Sequence, residues 1–355
     1  MTLCFVLAPF AHAKQDDKPT RLLPLPSPTE GLSFYLGWDA DLFYVADGGV
    51  KRGYATDSLI SAGLGLDTDA LGWWQGGQFA FGVQAIASTH PSRYAGDLQA
   101  LSNIAGPNRR QVSELWYSQA FGQSVLLRAG IMDLNRFFDV NDTATLFINS
   151  SYGITPTIPS NVPTATYPDS AWGLMARFGT QQSAWRVGLF QGDPVDRSSA
   201  LERGAMLIAE RDWIASNNGT RIGIGAWYRH APSVAPPTSD WGAYANLEQS
   251  LPDNPNTILF GQLGISPGEA NTVPVYLGGG IRFTNVSGAI SDFGVGFARA
   301  WIRNHAAETS VEVTATIPLF DGAALLQPDL QYILHPSGIY PNALVIGLRL
   351  HAAIY

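Results

Sequence analysis

The sequence predicts an all-β chain: a transmembrane antiparallel β-barrel of about 16 strands, with short turns on one side and longer loops on the other. Three observations predict it. Charge is scarce, at 14% of 355 residues beside 46% hydrophobic residues, where an ordinary soluble domain carries roughly 25% charged residues. No apolar run reaches the roughly 18 residues that a transmembrane helix needs. Polar and apolar residues instead alternate with period 2 along most of the chain, and helical periodicity is nearly absent.

The N-terminus comes first. Leu3 to Phe10 form a short apolar block followed by Ala11-His12-Ala13, a small-x-small cleavage signal. Residues 1–13 therefore read as a secretory signal peptide cut before Lys14, although no basic residue precedes the apolar block. The single cysteine, Cys4, would leave with it, so the exported chain would rely on no disulfide. Residues 14–30, with four prolines, read as an extended leader, and 31–355 as the barrel.

Alternation then marks the strands. Phe34, Leu36, Trp38, Ala40 and Leu42 form one face and Ser33, Tyr35, Gly37, Asp39 and Asp41 the other. Phe79 to Ala87, Ile222 to Tyr228, Val311 to Ile317 and Leu344 to Ile354 repeat the pattern. The segments are 31–43, 57–67, 77–88, 112–121, 124–133, 170–179, 184–191, 203–213, 220–230, 241–250, 257–266, 275–285, 291–303, 309–319, 325–334 and 343–355. Most match the roughly 9–11 residues of a tilted strand crossing hydrocarbon, and the even count puts both termini on one side.

The connections are asymmetric. Gly122-Gln123, Gln181-Gln182-Ser183, Ser216-Asn217-Asn218-Gly219, Asp253-Asn254-Pro255 and Asp321-Gly322-Ala323 are tight turns after even strands. Residues 89–111, 134–169, 192–202, 231–240 and 267–274 follow odd ones. Short periplasmic turns and long outer loops describe an outer-membrane barrel of a Gram-negative bacterium. Pro328 should sit near the periplasmic end of its strand and cost one ladder bond. Arg299 and Arg303 share parity with Phe293, Val295 and Phe297, which predicts a bulge or a rim position. Trp38, Trp73, Trp74, Trp185, Trp213, Trp241, Trp301 and Tyr355 fit aromatic girdles at the two interfaces.

A closed sheet of this size satisfies every backbone group in lipid and encloses a lumen too wide for side chains to fill. The inward parity then defines a water-filled path: Glu114, Trp116 and Ser118, Arg128, Arg177, Arg186, Glu210 and Asp212, Arg282, Glu312, Asp329 and Gln331, and Arg349. The 134–169 connection is too long for an idle loop. Folded inward, it would narrow the pore and set selectivity. Trp116 offers an aromatic platform, and Glu114 with Arg128 on the next strand offers an acceptor beside a donor fork, or an ion pair stiffening the wall.

Other functions lack signals. There is no G-x-S-x-G, no H-E-x-x-H and no Walker loop, and the six histidines are scattered. No enzyme activity, metal or cofactor is expected. A net charge of −8, with 18 Arg, three Lys and no dense basic cluster, argues against a nucleic-acid partner.

The segments GGVKRG (48–53), AGDLQALSNI (95–104), SELWYSQAFG (113–122), LFINSSYGITPT (146–157) and LQPDLQYILHPSG with NALVIGLRL (326–350) resemble the carbohydrate-selective porins of the OprB type, in the same order along nearly the whole chain. The resemblance implies a sixteen-stranded porin passing small, glucose-like saccharides by passive diffusion. Its surroundings would be the lipid bilayer with lipopolysaccharide, its assembly would use the outer-membrane assembly machinery, and a homotrimer stands beside the monomer as its state. It also implies a constriction of Arg, Glu and aromatic residues. The candidate sugar-contacting set is Glu114, Trp116, Arg128, Asp133, Arg136, Asn149, Arg177, Arg282 and Arg349. Two positions depart from the family: Ile131-Met132-Asp133 stands where many members carry Lys-Gln-Asp, and the last residue is Tyr355 rather than Phe. A general or anion-preferring porin is the alternative; an exported soluble β-rich carbohydrate-binding protein or enzyme is a remote one.

Overall fold

The computed structural model describes residues 31–180, 182–199, 201–215, 219–232 and 238–354. The signal peptide and leader readings, Cys4, Gln181, the turn residues 216–218 and Tyr355 lie outside the described residues. Sixteen antiparallel strands close into one barrel in chain order, with the first strand paired to the last.

The strands are β1 (Leu32–Asp47), β2 (Gly53–Asp67), β3 (Gly77–Ser88), β4 (Arg109–Phe121), β5 (Val125–Met132), β6 (Ala171–Gly179), β7 (Ser183–Gln191) and β8 (Ala205–Ala215). Then follow β9 (Thr220–His230), β10 (Ser239–Leu251), β11 (Asn254–Ile265), β12 (Val275–Thr284), β13 (Asp292–Trp301), β14 (Glu308–Leu319), β15 (Ala324–Leu334) and β16 (Ala343–Ile354). Closure runs in regular register from Leu36 opposite Ile354 to Val45 opposite Val345, and after an irregularity Asp47 stands opposite Leu344. Closure leaves no open sheet edge, as a membrane-spanning sheet requires.

The burial pattern is inverted relative to a soluble protein. On β1 the apolar set faces outward, with Leu36, Trp38 and Leu42 exposed, while Asp39 and Asp41 on the opposite parity are buried. On β16 Ile346 and Leu348 are exposed and Arg349 is buried. Lipid would cover the outward set, so exposure there carries no hydrophobic penalty. The outward-facing aromatics Trp185, Trp213, Trp241 and Trp301 are all exposed near strand ends.

Three irregular positions resolve as follows. The ladder of β14 with β15 lacks partners for Ala315 and Thr316, opposite Pro328 and Gln327, and resumes in the same register. Pro318 and Pro255 also lie inside strands, each next to a strand end. Around Arg299 the register is regular, so there is no bulge. Arg299 takes the rim position, two residues from the strand end, over the Trp301 ring at 5.1 Å and donating to Thr309 Oγ1 at 2.9 Å. Arg303 lies beyond β13 and donates to the carbonyls of Asn271 and Gly268.

Two long loops turn into the lumen. Residues 133–170, joining β5 to β6, pack Leu134, Phe138, Ile158 and Val162 against Met175, Phe190, Met206 and Ile208 of the wall. Farther round, Leu146, Phe147 and Tyr152 meet Phe260, Tyr276 and Ala298. Gly296 makes this contact possible, because a Cβ there would stand 3.0 Å from both the Phe147 and Tyr152 rings. Residues 89–108, joining β3 to β4, carry the short helix α1 (Ser92–Ala95) and pack Ala95 and Leu101 against Phe43, Ile333 and Val345. The two loops also pair with each other, through Asn103 N to Ile148 O and Ser150 N to Ala100 O.

Candidate functional site

Buried carboxylates of the wall hold both loops. Glu210 on β8 accepts from Asp139 N at 2.8 Å, and Glu248 on β10 accepts from Thr143 N and Oγ1 at 2.8 and 2.6 Å. Glu312 on β14 accepts from Ile148 N and Asn149 N at 2.6 and 3.1 Å. Glu308, at the start of β14, accepts from Leu98 N, Gln99 N and Ser337 N. Irregular backbone inside a barrel leaves amide donors without ladder partners, and such groups are costly to bury unmet. A charged acceptor makes a stronger bond than a neutral one. The inward glutamates are therefore loop anchors.

Where the loop leaves β5, a compact charged and aromatic cluster forms. The Arg128 guanidinium carbon lies 3.8 Å from the Trp116 ring centroid and 4.7 Å from that of Phe137. Trp116 Nε1 donates to Glu114 Oε2 at 3.2 Å, while Glu114 Oε1 pairs with Arg136. Tyr35 on β1 is hydrogen-bonded to Arg136. Burial raises the Asp133 carboxyl above its usual range, with Arg136 opposing the shift. Among the described residues Arg128 takes no hydrogen bond or ion-pair partner, and its Nε is buried without one. Its terminal amino groups thus remain available to a solute, while aromatic faces fix its plane.

Gly130 lets the wall approach this cluster. Its φ is +142°, and a Cβ there would overlap the Leu115 carbonyl oxygen and stand 2.5 Å from Trp116 Cα. That conformation is essentially reserved for glycine. It lets β5 lie close behind the Trp116 side chain that carries Arg128.

Of the nine predicted site residues, Glu114, Trp116, Arg128 and Arg136 come together here. Glu114 pairs with Arg136 of the loop, and the Glu114–Arg128 ion pair read from adjacent strands is absent. Trp116 is buried, with Arg128 across its ring, so it positions that side chain more than it offers a free platform. Asp133 caps the loop, accepting from Asn135 N at 2.9 Å and Tyr167 N at 3.2 Å. Asn149 is fully buried and joins the loop to Gln331. Arg349 is buried behind the 89–108 loop, in a two-pronged pair with Asp41, itself bonded to Ser102. Arg177 donates to Thr180 O at the short-turn side, and Arg282 pairs with Asp292 at 2.7 Å.

Sequence reasoning missed Phe137, Tyr35 and Arg221. Tyr35 and Arg221 were visible by parity, since each shares the inward face of its strand. Phe137 lies in a loop, where parity says nothing. Arg221 bridges Asp142 at 3.2 Å, Asp212 at 3.5 Å and Glu248 at 3.0 Å, next to Arg186, which pairs with Glu210 and Asp212. Among the described residues no group of three or more His, Cys, Asp or Glu side chains is placed to hold a metal ion.

Known structures share this architecture. The high-pH structure of Pseudomonas putida OprB is similar with a TM-score of 0.80 at 17% identity, covering 91% of this chain and 94% of that one. Its low-pH structure matches with a TM-score of 0.59 at 17% identity, over 91% and 93%. A Rhodopseudomonas blastica porin triple mutant gives 0.53 at 14% identity, over 91% and 100%. No curated protein sequence is significantly similar. The family model described as carbohydrate-selective porin, OprB family, matches residues 51–353, and the chain belongs to that family, an outer-membrane sugar porin of sixteen strands.

Proposed function

We propose that small neutral saccharides pass this barrel one at a time, slowed and selected where Arg128, Arg136, Glu114 and Tyr35 meet. The single observation that carries this reading is the Arg128 guanidinium, gripped by Trp116 and Phe137 and free of protein hydrogen-bond partners among the described residues. A sugar must exchange its water shell for other polar groups to pass a narrow region. A guanidinium supplies donors in a fixed fork and a carboxylate supplies acceptors. Donors already held in place lose little entropy on meeting hydroxyls. Binding must stay weak for conduction to proceed.

The termini and short turns face the periplasm in this reading, and the long loops face outward, as in barrels of this class. The outward apolar band contacts lipid, and the aromatic strand ends sit at its two boundaries. The protein needs no cofactor for diffusion.

Proteoliposome swelling tests the reading. Vesicles holding the protein should swell quickly in isotonic glucose and more slowly in disaccharides or in neutral amino acids of similar size. Equal rates for solutes of equal size, sugar or not, would instead favour a general diffusion porin.

A further inference from the structure

The lipid-facing wall carries a furrow that the passage of sugar does not use. It encloses about 650 Å³ and is lined by aliphatic and aromatic side chains of β1 to β7, with Leu201 of the β7–β8 loop. That volume falls within the roughly 300–1,000 Å³ of ligand-binding clefts. Ala129 creates the depression. It is exposed on the outward parity of β5 and stands in one register row between Tyr117 and Leu174, a methyl group between two large side chains. Gly130, which brings β5 up against Trp116 on the inside, lines the furrow too. The row continues through Phe79 to Leu66, beside the short-turn end of β2, and on the other side to Leu189, near the long-loop end of β7. From β2 to β7 it covers about 24 Å at roughly 4.8 Å per strand. The furrow thus slopes across the apolar band and is long enough for an extended acyl chain.

Two arginines without a carboxylate partner stand at its long-loop mouth. The Arg197 carbonyl accepts from Trp172 Nε1 at 3.2 Å, and its Nη1 donates to Val112 O at 2.7 Å. Arg110 is exposed on the outward face of β4, one outward position beyond Val112. Leu115 in the furrow is opposite Phe81 and Arg110 opposite Ala85, so Arg110 stands about 13 Å nearer the loops at roughly 3.3 Å per residue. The other described strand arginines of lipid-facing parity have partners: Arg211 lies against the Trp185 and Trp213 rings and donates to Ser183, and Arg299 is held by Trp301 and Thr309. Arg110 takes none among the described residues. The carboxylates nearby are already answered: Asp169 pairs with Arg109 at 2.7 Å, and Asp193 and Asp196 share Arg203 at 2.9 Å.

We propose that this face is a binding site for lipid A of the outer leaflet, with an acyl chain in the furrow and a phosphate held by Arg110 and Arg197. The site is separate from the sugar path and rests on the outward orientation of the long loops taken above. A furrow in a wall bathed by hydrocarbon is filled by a chain, because an empty one forfeits dispersion contacts on one side. A guanidinium fork meets two phosphate oxygens at once. Lipid A joins both features in one molecule, at the level where these arginines stand. A second copy of the chain fits less well, since docking there would bury two unpaired guanidinium groups, and an uncompensated buried charge is costly.

The test is native mass spectrometry of the detergent-solubilised barrel titrated with diphosphoryl lipid A and, separately, with lipid A stripped of its phosphates. The expected result is a one-to-one complex with the diphosphoryl lipid and a much weaker one with the stripped lipid. Arg110→Gln combined with Arg197→Gln should weaken lipid A binding about tenfold, the worth of one charge-assisted hydrogen bond. The corresponding Lys pair should keep part of the affinity. Ala129→Phe fills the furrow from the lipid side and should weaken binding through the acyl chain. Heat-dependent gel mobility confirms that each variant is a folded barrel. Unchanged affinity in either the Gln pair or Ala129→Phe, or equal binding of the two lipids, overturns the inference. So does a wild-type oligomer that Ala129→Phe dissociates, because the furrow then seats a second copy. Orientation is read separately: Val195→Cys, in the exposed β7–β8 loop, should react with an impermeant maleimide on intact cells. Absence of that label would defeat the orientation, and the lipid A assignment with it.

Discussion

The guanidinium of Arg128 lies against the ring of Trp116, 3.8 Å from its centroid, although the two side chains come from adjacent strands and neither is the other's direct register partner. Trp116 is opposite Gly130, and Arg128 opposite Ser118. The contact is diagonal, and the missing Cβ at Gly130 keeps the space beside it open. A stacked guanidinium keeps its edge donors while losing its rotational freedom, which suits a solute that must be recognised and released.

Removing the ring should release Arg128. A partly desolvated cation–π contact is worth about 0.5–2 kcal/mol, so Trp116→Ala should weaken glucose block roughly twofold to thirtyfold. Open-channel conductance should rise, while Trp116→Phe should keep part of the effect. Single-channel conductance with a glucose titration measures both.

Glu114 and Arg136 tie the 133–170 loop to β4. Glu114→Gln leaves a largely buried guanidinium with Tyr35 and the Asp133 charge as its remaining opposing partners, beside the like charge of Arg128. Breaking a fully buried pair costs about 3–5 kcal/mol, and the partial exposure of Arg136 lowers that figure. The barrel should survive and the loop should loosen. Increased current noise and faster proteolysis within 133–170, with unchanged heat-dependent gel mobility, are the expected signs.

Acid should tighten the same loop. Burial pushes the Asp139 carboxyl up to about 7, against the opposing hydrogen bonds from Thr155 and Asn246 and with Glu210 nearby adding to the rise. A carboxyl whose folded pKa lies above its unfolded value binds more protons when folded, so its contribution to stability falls as pH rises between roughly 4 and 7. Loop docking should therefore strengthen from pH 7 toward pH 4.5. Hydrogen exchange at the amides of residues 139–155, corrected for intrinsic rate, checks this. Asp139→Asn should flatten the profile.

Gly130 tolerates no side chain. With φ at +142° and the Leu115 carbonyl oxygen in the space a Cβ would need, Gly130→Ala should cost several times the usual penalty of about 1–3 kcal/mol for a strained backbone site. Reduced yield of heat-modifiable barrel relative to Gly261→Ala, where a Cβ would meet nothing within 4 Å, measures it.

The strands were legible because lipid and lumen impose opposite solvents on alternate residues, and that alternation is written directly into β1 and β16. Arg299 shows the limit of parity: it faces the lipid side, and only its place two residues from the strand end makes that tolerable. The site was half legible. Glu114, Trp116 and Arg128 follow from strand parity, but Arg136 and Phe137 reach them from a loop, whose backbone has no period to read. Arg349 has the same inward parity as Arg128 and a different fate, since the 89–108 loop covers it. Nothing in a single strand foretells which part of a wall an incoming loop will cover.

One measurement tests the central claim most directly: glucose-dependent block of single channels formed by the wild-type protein and by Arg128→Ala, recorded side by side. The account predicts concentration-dependent, short-lived block in the wild type, and a variant with larger conductance and block weakened at least fivefold. Identical conductance and identical block in the two proteins would contradict it.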